Sequence, residues 1–191
     1  MRILIVQGHP DPSTPHFCHA LAEAYERGAS QAGHDIRKID VATLPLTFLR
    51  SQAEWETGEV PDYAREAQDA VLWADHIVVL FPLWMGGMPA VLRAWFEQSF
   101  RANFAFETTE TGMVRHLKGK SARLVVTMGM PSIFYRWYFG QPGTKLLRRS
   151  VLGFAGVSPI RQTLVGMIEK MPAERAGKLM SELEALGRKG R

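Results

Sequence analysis

The chain contains one cysteine, Cys18, among 191 residues, so no intramolecular disulfide can form. That excludes a disulfide-built scaffold and gives no reason to place the protein in an oxidising compartment; cytoplasm is the expectation. Long hydrophobic runs are also missing. The longest are of strand length, well short of the ~20 residues a membrane span requires, so no membrane insertion is expected. The N-terminal run Ile3-Leu4-Ile5-Val6 is too short for a signal-peptide core and lacks a small-residue cleavage pattern. It reads as a buried strand. The loop that follows carries neither G-x-G-x-x-G nor G-x-x-x-x-G-K-[ST], which argues against a dinucleotide Rossmann site and a P-loop NTPase. The six histidines show no ligand spacing, so no metal is expected. Internal repeats, linkers and low-complexity tracts are absent.

What is present is ordinary globular composition: 46% hydrophobic and 22% charged residues. One domain spanning residues 1–191 accounts for it, with disorder expected only in the tail Gly187-Arg188-Lys189-Gly190-Arg191. The net charge of +4 favours approach of an anionic ligand. The basic residues are dispersed except for Arg148-Arg149 and the tail, so a nucleic-acid partner is not expected.

The hydrophobic pattern alternates between strand and helix periods. Residues 2–7, 76–81, 122–127 and 159–165 read as strands, and 35–40 as a half-exposed one. Helices are expected over 16–32, 62–73 capped by Asp62, 89–100, from about 143 to 154, and at the C-terminus with Ala176, Leu179, Met180, Leu183 and Leu186 on one face. Residues 41–61 read as a long loop, 103–119 as a small excursion or hairpin, and the stretch up to Gly143 as an aromatic loop. Strand and helix repeated five times imply an α/β fold, a parallel sheet covered on both faces. Ligands of such sheets sit at the carboxyl ends of the strands, near the switch in strand order.

Three loops fall there. The first, Gly8-His9-Pro10-Asp11-Pro12-Ser13-Thr14-Pro15-His16-Phe17-Cys18, enters a helix whose free N–H groups suit phosphate; it reads equally as a plain βα loop with a hydroxyl cap. The second, Phe81-Pro82-Leu83-Trp84-Met85-Gly86-Gly87-Met88-Pro89, combines proline-fixed ends, two glycines and an apolar wall suited to a flat aromatic ring. The third runs from Thr127 to Gly140 and holds Met128, Gly129, Met130 and five aromatics within six residues. Tyr135 is expected near a ligand and the other aromatics partly at a subunit interface. Cys18 reads as a small buried residue rather than a reactive thiol.

With these residues in view, the chain resembles the quinone-reductase branch of the flavodoxin-like superfamily: NAD(P)H:quinone oxidoreductases, modulators of drug activity and ancillary flavoproteins of potassium-efflux systems. The resemblance rests on His9-Pro10, on Phe81-Pro82-Leu83-Trp84 with the block from Gly87 to Phe96, on Phe104-Ala105-Phe106 ahead of Leu117-Lys118-Gly119-Lys120, and on Thr127 with Gly129 eight and six residues before Tyr135. It implies a flavodoxin-like, five-stranded parallel sheet in the order 2-1-3-4-5 and a homodimer. It also implies FMN, or FAD, as cofactor and NAD(P)H as cosubstrate, with a quinone, azo or nitro compound as the small-molecule electron acceptor. His9, Ser13, Thr14, His16, Phe17 and Cys18 would hold the flavin phosphate. Pro82, Leu83, Trp84, Met85 and Gly86 would line the ring. Thr127, Met128, Gly129 and Met130 would approach its pyrimidine end, with Tyr135 as the catalytic hydroxyl. The related roles of redox-gated subunit and one-electron carrier belong to the same superfamily; the basic surface disfavours the carrier. The chain departs from the pattern at Pro15, which has no N–H to donate, at Cys18 and Met130, and at Gln141, where the best-known relatives carry a histidine.

Overall fold

The computed structural model describes residues 1–110 and 112–191. In chain order the elements are β1 (Arg2–Gln7), α1 (Phe17–Gln31), β2 (Asp35–Asp40), α2 (Gln52–Thr57), α3 (Asp62–Trp73), β3 (His76–Pro82), α4 (Ala90–Ser99), β4 (Phe106–Thr109), β5 (Gly112–Arg115), β6 (Ser121–Thr127), α5 (Ser132–Trp137), α6 (Pro142–Lys145), β7 (Ile160–Val165) and α7 (Ala173–Arg188). A π-helical segment, Leu146–Leu152, continues α6. Five strands form one parallel sheet in the order β2-β1-β3-β6-β7, the expected order once the separate β4–β5 hairpin is set aside.

The sheet is central because its strands are apolar on both sides. Along β3 every residue from His76 to Pro82 is buried. Alternate side chains face opposite layers, as the pleat requires. Leu4, Val6, Val79, Phe81, Leu124 and Val126 pack with Leu92, Trp95, Phe96, Tyr135, Leu147 and Leu152. Ile3, Ile5, Val78, Leu80 and Val125 pack with Leu21, Tyr25 and Leu183 of α1 and α7. Those two helices meet backbone to backbone. A Cβ at Gly28 would stand 1.9 Å from the carbonyl oxygen of Glu184, and one at Gly187 would stand 2.0 Å from that of Tyr25.

Several expectations are corrected. The C-terminal tail is ordered rather than loose: α7 runs through Arg188, Gly190 is buried, and the Arg123 guanidinium donates to the Arg191 carbonyl at 2.8 Å. Asp62 does not cap α3. Pro61 is the N-cap and Asp62 lies in the first turn, paired with Arg65. The loop over 41–61 contains α2, capped by Ser51, whose hydroxyl accepts from the Glu54 N–H at 3.1 Å. The aromatic stretch after β6 is partly helical, as α5.

Candidate functional site

Parallel pairing aligns the carboxyl ends of the central strands. Gln7 of β1 stands opposite Leu80, and Pro82 of β3 opposite Thr127 of β6. The chain leaves β1 towards β2 on one side and β3 on the other, so the switch in strand order lies at β1/β3. The three loops expected to form the site therefore emerge side by side. At the usual strand spacing the first and third lie about 10 Å apart, room for a flat polycyclic ring between them.

The first loop is fastened from below by Gln7, which sequence reasoning missed. Its buried amide oxygen accepts from the His9 N–H at 3.0 Å and from the Cys18 thiol at 3.4 Å, and its amide nitrogen donates to the Cys18 carbonyl at 3.3 Å. Cys18 is buried, and burial pushes its thiol up to about 12. It lies under the loop, with its thiol turned to the Gln7 amide oxygen. His9 is buried and stacks on His16 with ring centroids 3.8 Å apart; His19 lies 5.1 Å from His9. Burial, then the neighbouring His16, hold the His9 pKa below the usual imidazole value. The His9 Nδ1 accepts from the Asp11 N–H at 3.2 Å, and the His19 Nδ1 accepts from the His16 N–H at 3.1 Å. Phe17 is half-buried against the α1–α7 core. Among the described residues no histidine cluster has the geometry of a metal site.

Ser13, Thr14 and His16 converge as expected, but on a carboxylate. Asp11 accepts from the Ser13 N–H at 2.8 Å, the Ser13 hydroxyl at 2.6 Å, the Thr14 hydroxyl at 3.0 Å and His16 Nε2 at 2.9 Å. These bonds, those of Ser13 and His16 foremost, hold the Asp11 carboxyl well below the usual carboxylate range. The donor set thus fits an oxyanion, which is the chemistry a phosphate monoester needs.

The second loop is a tight two-residue turn. Trp84 and Gly87 exchange N–H···O bonds of 2.9 and 2.8 Å, and Met85 and Gly86 between them have φ of 50° and 78°. Trp84 is 51% exposed and Met85 fully so, while Pro82 is buried and Leu83 half-buried. The Leu83 N–H donates to the Thr127 carbonyl at 2.7 Å, joining the second loop to the third.

Tyr135 locks this turn from beneath. It is wholly buried; its hydroxyl donates to the Gly86 carbonyl at 3.2 Å and accepts from the Thr144 N–H at 3.2 Å. Gly143 also donates to the Gly86 carbonyl, at 3.1 Å, and a Cβ at Gly143 would stand 2.5 Å from that oxygen. The sequence suggested a catalytic hydroxyl at Tyr135. Here the phenol is turned inward and fixes the turn between Trp84 and Gly87. Its neighbours are the exposed ones: Ile133 and the aromatics Phe134, Trp137, Tyr138 and Phe139. Gln141 is held by Gln162, whose amide donates to its oxygen at 2.6 Å.

In the third loop, Thr127 and Met128 are buried, Gly129 is exposed and Met130 packs half-buried on the main core. Glu169, from the loop after β7, approaches Gly129: a Cβ there would lie 3.2 Å from a Glu169 carboxylate oxygen. The contacts of Gln7, Asp11, Thr144 and Glu169 with these loops were not legible in the sequence, because they arise from tertiary geometry rather than from a motif.

Comparison with known proteins fits this arrangement. Residues 1–189 match the model of a family described as having a flavodoxin-like fold. A protein of Haemophilus influenzae described as an uncharacterized NAD(P)H oxidoreductase is 26% identical over 97% of this chain and 93% of its own length. An FMN-dependent NADH:quinone oxidoreductase of Jannaschia sp. is 31% identical over 79% of this chain and 78% of its own. Among solved structures, Smu.1420 from Streptococcus mutans superposes with a TM-score of 0.80 at 28% identity, covering 99% of this chain and all of that one. With its strand order, its three convergent loops and a family match along nearly the whole sequence, the chain belongs to the flavodoxin-like fold family.

Proposed function

We propose that this protein is an FMN-dependent NAD(P)H oxidoreductase that reduces quinones or related small acceptors by a ping-pong mechanism. The observation that carries the reading is the juxtaposition of an oxyanion-holding loop and an aromatic, backbone-lined turn at the switch point of the sheet. The full-length relative named as an NAD(P)H oxidoreductase and the FMN-dependent quinone oxidoreductase relative support the same assignment.

When bound, FMN supplies a centre that accepts a hydride from a reduced nicotinamide and passes two electrons to the second substrate. The chain supplies position and electrostatics. Ser13, Thr14, His16 and the N-terminal end of α1 hold the phosphate, beside buried His9. The turn from Trp84 to Gly87 presents backbone N–H and C=O groups to the ring edge, and its rigidity comes from Tyr135 and Gly143. Thr127 and Gly129 offer backbone to the pyrimidine end. With Gln141 tied to Gln162 and Tyr135 facing inward, the second proton that a quinone needs comes from solvent.

The exposed apolar side chains of α5, together with Trp84 and Met85, lie on the same edge as the site. A patch of this kind on a folded domain favours a partner surface, and the reading includes a homodimer that closes the site. The test is to add FMN to the purified protein and follow NAD(P)H oxidation with a quinone acceptor. Parallel double-reciprocal lines and a strict need for flavin are expected. Activity that is independent of flavin, or no flavin uptake, overturns the proposal.

A further inference from the structure

The phosphate loop contains an anion of its own. Ser13, Thr14 and His16, the side chains best placed to hold a phosphate, all donate to the Asp11 carboxylate. An Asx turn needs only the Ser13 N–H; the two hydroxyls and the imidazole are additional. Among the described residues no lysine or arginine bonds to this loop, and His16 is the only basic partner of Asp11. A second anion brought to these donors meets the Asp11 charge at close range, without a fixed cation to offset it. The Asp11 side chain is 40% exposed, so it can turn out to water without burying its charge.

We propose that Asp11 is an internal stand-in for phosphate. It fills the oxyanion seat formed by the Ser13, Thr14 and His16 donors, and a phosphate monoester enters by taking over those donors while Asp11 swings to solvent. Asp11 thereby sets the affinity for FMN, and it does so through the phosphate alone. The inference rests on the flavin reading above. It gives the loop a definite asymmetry: riboflavin, which has the same ring and no phosphate, does not displace Asp11 and is indifferent to its charge.

The test uses the full chain and the variant Asp11→Asn, which keeps the side-chain oxygen that the turn requires and removes the charge. Binding of FMN and of riboflavin is titrated by quenching of flavin fluorescence, and thermal stability is measured with and without inorganic phosphate. Asp11→Asn is expected to bind FMN about tenfold more tightly, the size of one like-charge interaction at a half-exposed site, with riboflavin affinity unchanged. Phosphate should raise the melting temperature of the variant more than that of the wild type. Unchanged or weaker FMN binding by the variant overturns the proposal. So does a parallel change for FMN and riboflavin, since Asp11 would then only shape the loop. If neither protein takes up any flavin, the flavin reading fails, and the phosphate arm decides the inference by itself: a larger shift in the variant upholds it, and equal shifts overturn it.

Discussion

At the residue scale, burial governs which groups titrate and which react. His76 opens β3 and is wholly buried, with Nδ1 2.8 Å from the Ser121 hydroxyl and, among the described residues, no hydrogen-bond partner at Nε2. Burial, then the charges of Arg123 and Arg161, lowers its pKa to about 4. The unfolded chain then binds a proton that the folded chain refuses, so stability falls as pH drops from the unfolded imidazole value towards the folded one. Against an ordinary value near 6.5, that shift is worth about 3 kcal/mol, present at pH 7 and lost progressively between about pH 6.5 and pH 4. A ring-proton NMR titration, with His76→Gln to assign the signal, should show His76 neutral at pH 5; a midpoint near 6.5 would refute this account. Cys18 gives a second check. With its thiol buried and raised to about 12, it should resist alkylation in the native protein and react once per chain in denaturant. Tyr135→Phe removes the bond to Gly86 and leaves the Thr144 N–H without its acceptor. A loss of about 1–3 kcal/mol in stability is expected from the unsatisfied buried donor, together with weaker retention of flavin, read by equilibrium dialysis.

At the element scale, the contact between α1 and α7 depends on two glycines. Gly187→Ala drives a methyl into the Tyr25 carbonyl, 2.0 Å away, and should cost about 3 kcal/mol or more in urea unfolding. Gly177→Ala, on the same helix with open space around its Cβ, should instead gain about 0.5–1 kcal/mol from helix propensity. Equal effects at the two positions would contradict the packing described. The central strands were legible in the sequence because β1, β3 and β6 are apolar on both faces, a pattern that nothing else of that length produces between polar turns. The hairpin was legible as alternation around Phe104 and Phe106. Helix α5 was not: it has six residues, only Tyr135 is buried, and its exposed aromatics obscure any helical period. The docked tail was equally hidden, because its order comes from glycine backbone contacts and from Arg123, far away in sequence. The order of the site loops followed from the strand pattern. The inward turn of Tyr135 and the bonding of Ser13, Thr14 and His16 to Asp11 did not, since both depend on loop conformation.

At the scale of the whole molecule, the exposed apolar edge is the surface on which the proposed dimer would form. Trp137 is 78% exposed, Tyr138 73% and Ile133 66%, beside the turn that lines the site. Sedimentation should therefore give twice the 21.4 kDa chain mass, and Trp137→Glu should shift the protein towards monomer and expose the flavin to solvent. A wild-type monomer at micromolar concentration would contradict the dimer. The central claim is that three loops at one edge of the sheet hold a flavin that a nicotinamide can reduce. The most direct measurement is the visible spectrum of the FMN-loaded protein, mixed anaerobically with NADH or NADPH. The account predicts that the oxidised-flavin absorption bleaches with one equivalent of nicotinamide and returns when a quinone is added. A bound flavin that neither nicotinamide reduces would contradict it.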